Sequence, residues 1–168
     1  MKKLMLTLVM VLLLSSIAAA QETFTPQGSL VVPGVSANYV SNTNRTITKF
    51  LLTNVSGNAV QVKVTVYDRN GNDVSKYCNV YEGSSNKNSW SLVAQGTGTF
   101  DLAAHGTRVV NFGYNITNAN VIGHAVIEWA SSDKLQRKAL MGSLRFFSAY
   151  NTGDHSYGQQ FLNSGQAF

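Results

Sequence analysis

Three groups of side chains carry the chemistry this chain could perform. Asp68, Asn70 and Asp73, spaced around Gly71, set oxygen-bearing side chains at close intervals, and a hard cation such as calcium takes oxygen ligands. The glycine falls two positions early for a helix–loop–helix calcium loop, and no Glu closes the site. Asn-Gly beside a strand end is ordinary hairpin chemistry, so the stretch reads as a turn. His105, His124 and His155 are far apart in sequence. His124 and Glu128 share a strand face, but four residues at ~3.3 Å each put them about 13 Å apart, too far for one metal. Asp101 and Glu128 are the one carboxylate pair a glycoside hydrolase could be built on. One Glu on a strand and one Asp beside a turn is too common a combination to carry that role. The sequence holds no G-x-S-x-G elbow, H-E-x-x-H pair or glycine-rich phosphate loop. It is read here as having no catalytic residue, no metal ligand and no cofactor.

Aromatic residues give a better lead. Tyr67, Tyr81, Trp90 and Tyr114 are the expected ligand or partner contacts, because flat rings with a polar tip suit sugar stacking or a protein interface. Tyr67 is expected on an exposed face; for Trp90 and Trp129 the competing reading is core filling, the commoner fate of a large aromatic. Cys78 is the single cysteine, so no disulfide can form within the chain. It reads either as an intermolecular disulfide or as a small buried apolar residue.

The elements that would position these residues are strands. In residues 47–72, Val60, Val62, Val64 and Val66 alternate with Gln61, Lys63, Thr65 and Tyr67, giving one apolar and one wetted face. Val62 and Val64 should be buried, with Lys63 and Thr65 facing solvent or a partner. Phe50 and Leu52 belong to a preceding strand, joined through a turn at residues 54–58, and the valine face needs a second sheet to cover it. Residues 30–32 form a short strand at most, with Pro33 suggesting an edge. Residues 83–89 read as a loop, closed by the short apolar segment of Trp90, Leu92 and Val93. Further strands follow at 99–102, 107–112, 121–129 and 139–150, the last taken as an edge. The tail, 151–168, could dock back on the sheet. Turn signals about every ten residues and no sustained helical period predict an all-β chain: one antiparallel β-sandwich of about 7–9 strands, with a small barrel as runner-up.

Residues 1–20 stand outside this fold. Lys2 and Lys3, an apolar run from Leu4 to Leu14 and the small residues Ala18, Ala19 and Ala20 make a secretory signal peptide, too short to span a membrane. The mature domain, 21–168, keeps 168 − 20 = 148 residues, enough for a single core. Its charge balance is 13 − 2 = 11 basic against 8 acidic residues, or +3, with no basic cluster interleaved with aromatics. Nucleic acid is therefore not an expected partner. Charged residues are only 12% of the chain, about half the usual fraction, so Asn, Ser, Thr, Gln and Gly must cover the surface. Asn44, Asn54 and Asn115 fall in glycosylation sequons and are read as turn residues, since the leader looks bacterial.

The run F-L-L-T-N-V-S-G-N-A-V-Q-V-K-V-T-V-Y-D-R-N-G-N resembles the paired strands and Y-D-x-x-G turn of bacterial immunoglobulin-like sandwich domains. F-D-L-A-A-H-G-T-R-V-V is similar to their return strand. With G-H-A-V-I-E-W, A-L-M-G-S-L-R and the ending G-Q-A-F, the chain resembles small exported bacterial proteins of that kind. The resemblance spans residues 50–144 and implies a fold without a chemistry. The function expected is that of an exported non-catalytic structural or interaction protein, secreted or periplasmic, as a subunit of a cell-surface or extracellular-matrix assembly. Its partners would be a second copy or another surface protein. A carbohydrate-binding module that holds polysaccharide on exposed aromatics is the alternative, and a secreted hydrolase ranks third.

Overall fold

The computed structural model describes residues 24–41, 43–86, 88–96, 98–113, 115–116, 119–150 and 154–168, without the side chains of Tyr150 and residues 154–157. The leader at 1–20, the mature start at Gln21, Tyr114 and the side chain of His155 lie outside the described residues.

Ten strands follow one another: β1 Gly28–Ser41, β2 Asn44–Asn54, β3 Val60–Asp68, β4 Cys78–Glu82, β5 Ser91–Gln95, β6 Phe100–Leu102, β7 Thr107–Phe112, β8 Asn120–Ser131, β9 Leu140–Tyr150 and β10 Asp154–Phe161. All pairings are antiparallel. Strand β2 is the branch point. Along one side it pairs with β9 from Asn44 to Asn54. Along the other, Thr46 and Arg45 pair with β1, and Thr48 to Thr53 pair with β7. One leaf of the sandwich is therefore β10-β9-β2-β7-β4-β5, and the other is β1-β8-β3-β6.

The two leaves share one core. Phe50, Leu52, Val110, Phe112 and Leu144 from the first leaf pack in the same cluster as Val35, Val62, Val64, Ile127 and Trp129 from the second. Each such side chain taken from water contributes roughly 1.5–3 kcal/mol. Trp129 is fully buried, and a Cβ on Gly28, its register partner, would collide with the indole. Thr48 marks where β1 parts from β2. Its buried hydroxyl donates to the Ser36 carbonyl at 2.7 Å and accepts the Ser36 N–H at 3.1 Å, standing in for a ladder rung.

The all-β antiparallel sandwich of about seven to nine strands expected from the strand pattern is the architecture observed, with ten strands among the described residues. Four details differ from the sequence reading. First, β2 and β3 are not neighbours: β3 pairs with β8 and β6, so the join at Asn54 crosses between leaves. Asn54 makes that corner, its buried Nδ2 donating to the carbonyls of Asn58, Leu102 and Ala103 while Oδ1 accepts the Ser56 N–H and hydroxyl. Second, β1 runs for 14 residues and is paired with β8 from Gly28 to Asn38. A bulge between Pro33 and Val35, with Gly34 at φ 74°, absorbs the proline without ending the strand. Third, β9 is interior, covered by β10 on its open side. The tail does dock: Leu162 is buried and Phe168 exchanges backbone hydrogen bonds with Leu140. Fourth, Thr65 is buried rather than exposed. Val126 stands opposite it, and the chain returning from the Asp68 turn runs alongside, with Val74 and Ser75 bonded to Val66.

Candidate functional site

The outer face of the first leaf is built from the residues its strands turn away from the core. With Phe50 and Leu52 pointing inward, Lys49 and Leu51 of β2 face outward. The same alternation places Val109 and Asn111 of β7, Tyr81 of β4 and Arg145 of β9 on that face. Register aligns them in two rows. Arg145, Lys49 and Asn111 sit directly opposite one another across β9, β2 and β7. One step along, Leu51, Val109 and Tyr81 line up across β2, β7 and β4. Trp90, from the connection between β4 and β5, joins them around a trough of about 360 Å³. Leu51 and Val109 supply its aliphatic floor. Trp90 is 63% exposed, whereas Trp129 has no exposure at all.

Polar contacts tune this face. The ammonium of Lys49 lies 4.0 Å from the ring centre of Phe147, a cation–π contact. Arg145 donates from Nε and Nη2 to the Gln159 Oε1 at 3.0 and 2.9 Å, so its partner there is neutral. Asn111 Oδ1 is buried with no hydrogen-bond partner among the described residues. Opposite it on β4, Asn79 Nδ2 donates to the Tyr81 hydroxyl at 3.3 Å, which steadies the ring. No carboxylate lines the trough among the described residues. Glu82, on β4, is bound to Arg108 at 3.0 Å instead.

Of the aromatics picked out in the sequence, Tyr81 and Trp90 come together here, and Trp90 is not a core residue. Tyr67 lies on the other leaf, half-buried and stacked on His124 with ring centres 5.3 Å apart. Cys78 is a free thiol in the core with 1% exposure, so an intermolecular disulfide there would require the sandwich to open. Burial pushes its pKa up to about 12, with a smaller push from Asp73. The Asp68 stretch is a turn. Its Oδ1 accepts the amides of Asn70 and Asn72, and Oδ2 accepts the Asn72 side-chain amide. These bonds, led by the Asn72 side chain, hold the exposed carboxyl below its ordinary range. Asp73 caps the Ser75 amide in the same way. His105 is exposed in its turn, with φ 58°. No group of three or more His, Cys, Asp or Glu able to hold a metal occurs among the described residues.

Lys49, Asn111 and Arg145 escaped the sequence reading because nearly a hundred residues separate them. One local signal was present. Leu51 and Val109 each extend an apolar run across both strand faces, which a strand wetted on its outer side would not do.

Fold and trough together define an antiparallel β-sandwich with a cationic, aromatic-walled trough on one outer face. No protein-family model, curated protein or solved structure matches the chain. No helix among the described residues is long and apolar enough to cross a membrane.

Proposed function

We propose that this chain is an exported, non-catalytic interaction protein that holds a partner against the outer face of the six-stranded leaf. The observation that carries this is the convergence of Tyr81 and Trp90 over Leu51 and Val109. An indole left 63% in water beside an aliphatic floor is a costly arrangement unless something covers it. A trough of about 360 Å³ falls at the lower end of ligand-site volumes, the size of a few sugar rings or a short side-chain cluster. The leader at residues 1–20 supports export to the periplasm, the cell surface or the medium. In the same reading the sandwich is kin to the bacterial immunoglobulin-like domains it resembles in sequence. The absence of catalysis belongs to the proposal. It is supported by Asp68 and Asp73 being engaged in turns and His124 stacked on Tyr67, all away from the trough.

Among partners, a polysaccharide is favoured by the trough. Self-association is the second reading, favoured by β5, which ends its leaf and exposes Leu92 and Val93. Fluorescence separates the two, because Trp90 is open to a quencher and Trp129 is not. With residues 21–168, acrylamide should quench Trp90 strongly, and soluble polysaccharides from a neutral and charged panel should protect it. Protection that rises with protein concentration alone would instead select self-association through β5. If neither protects Trp90, the outer face is not the contact surface.

A further inference from the structure

One end of the sandwich carries a second surface, apart from the trough. We infer that the connection between β8 and β9 docks on an anionic lipid bilayer, with Leu135 in the headgroup boundary and Lys134, Arg137 and Lys138 against lipid phosphates. Leu135 is 81% exposed, more than any other large apolar side chain described. It does not sit on a slack tip. Asp133 Oδ1 accepts the Leu135 amide at 2.9 Å, and the Asp133 carbonyl accepts the Gln136 amide at 3.2 Å and the Gln27 side chain at 2.9 Å. The β2–β3 connection is fastened alongside. There the Val55 N–H donates to the Ala139 carbonyl at 2.8 Å, and Asn58 Nδ2 reaches Asp133 Oδ2 at 3.4 Å. Val55 is itself 40% exposed, so two apolar tips stand at this end in water.

Charge indicates what covers them. Lys134, Arg137 and Lys138 are all exposed. Lys134 donates to the Ser131 carbonyl at 3.3 Å, a neutral partner, and among the described residues Arg137 and Lys138 make no hydrogen bond or ion pair. Asp133 is the single acid of residues 132–139, which leaves the connection at 3 − 1 = +2. The remaining acids do not offset it. Glu82 is bound to Arg108 at 3.0 Å, Glu128 stands opposite Lys63, and Asp101 lies two strands across on β6. Asp68 and Asp73 follow the far end of β3, Asp154 opens β10 at the far end of β9, and Glu22 is outside the described residues. A soluble polyanion would use the cations and leave both apolar tips in water. A neutral bilayer would take the tips and give the cations nothing. An anionic bilayer uses both, as interfacial anchors do. Docking by this end leaves the outer face of the six-stranded leaf free.

Co-sedimentation of residues 21–168 with vesicles tests this, using an equimolar mixture of phosphatidylglycerol and phosphatidylcholine against phosphatidylcholine alone. The mixed vesicles should bind half of the protein at lipid concentrations on the order of a millimolar, and the neutral ones should bind about ten-fold less or weaker. Added salt should weaken the attachment. Lys134→Gln with Lys138→Gln should lower it about ten-fold or more. Leu135→Ser should lower it several-fold with the salt dependence kept, and Arg145→Gln, in the trough, should bind like wild type. These side chains are exposed, and unchanged thermal unfolding verifies that each variant is folded. Leu135→Cys carrying an environment-sensitive dye should brighten and shift to the blue on mixed vesicles, since buried Cys78 stays unlabelled. No binding to mixed vesicles at millimolar lipid, or equal binding to neutral ones, would overturn the inference. Dextran sulfate binding as tightly as the mixed vesicles, with Leu135→Ser unaffected and the dye unchanged, would replace the bilayer by a soluble polyanion and overturn it as well.

Discussion

Thr65 and Cys78 show how neighbours, more than residue type, decide what a side chain does here. Alternation alone puts Thr65 with Lys63 on the wetted face, and it would stay there if β3 were an open strand. It is buried instead, opposite Val126 on β8 and beside the returning chain whose Val74 and Ser75 bond to Val66. Cys78 is ambiguous in sequence because export makes cysteine reactive chemistry plausible and general burial tendencies make it inert. Its neighbours decide for burial. The consequence is measurable. Below pH 9 the thiol is protonated in folded and unfolded chains alike, and between 9 and about 12 only the unfolded chain ionises. Stability from this group is thus present in the neutral range and falls as pH rises through that window. Melting temperatures of wild type and Cys78→Ala, followed from neutral pH into that range, should converge as pH rises, since only the wild type loses this contribution. A thiol reagent at mildly alkaline pH should leave the native protein unmodified and react fully in denaturant. Rapid reaction of the native protein would mean that Cys78 is not buried.

At the scale of elements, strands with uninterrupted alternation were legible and those shaped by a single residue were not. The pattern at Val60 to Val66 identifies β3, and the one from Val121 to Trp129 identifies β8, because one face of each is committed to the core. Strand β1 is hidden by Pro33-Gly34, which reads as a stop until a bulge absorbs it. Strand β10 is hidden by a Gly, Gln and Ser composition that carries no apolar face. The β2–β3 connection looks like a hairpin turn, and only the buried amide of Asn54 reveals a corner between leaves. Replacing that amide leaves the carbonyls of Asn58, Leu102 and Ala103 and the Ser56 amide short of a partner. Asn54→Ala should therefore cost about 2–4 kcal/mol in urea unfolding, with an unchanged denaturant slope. A cost within the range of ordinary surface substitutions, about 0.5 kcal/mol, would show that water replaces the side chain freely.

At the scale of the whole molecule, the fold was readable and the trough was not, for one physical reason. A sandwich announces its core through local periodicity, whereas a site on its outer face is assembled by register between strands that no spacing connects. Tyr81 and Trp90 could be singled out by type. Their meeting with Lys49, Asn111 and Arg145 depends on β2 lying between β9 and β7, an order fixed only by the folded sheet. That arrangement leaves one outer face with Lys49 and Arg145 opposed across β2 and β9 and the Trp90 indole uncovered. The central claim is that this face is where the protein meets its ligand. Chemical-shift mapping of isotope-labelled residues 21–168 with oligosaccharides cut from the neutral and charged polysaccharides of the quenching panel, at millimolar concentration, tests it most directly. The account predicts that the perturbed signals are the Trp90 indole N–H, the Asn111 side-chain amide, the Arg145 Nε–H and the amides of β2, β7 and β4 around Leu51, Val109 and Tyr81. Perturbations centred on Tyr67, His124 and the outer face of β3 and β8, or none anywhere, would contradict it.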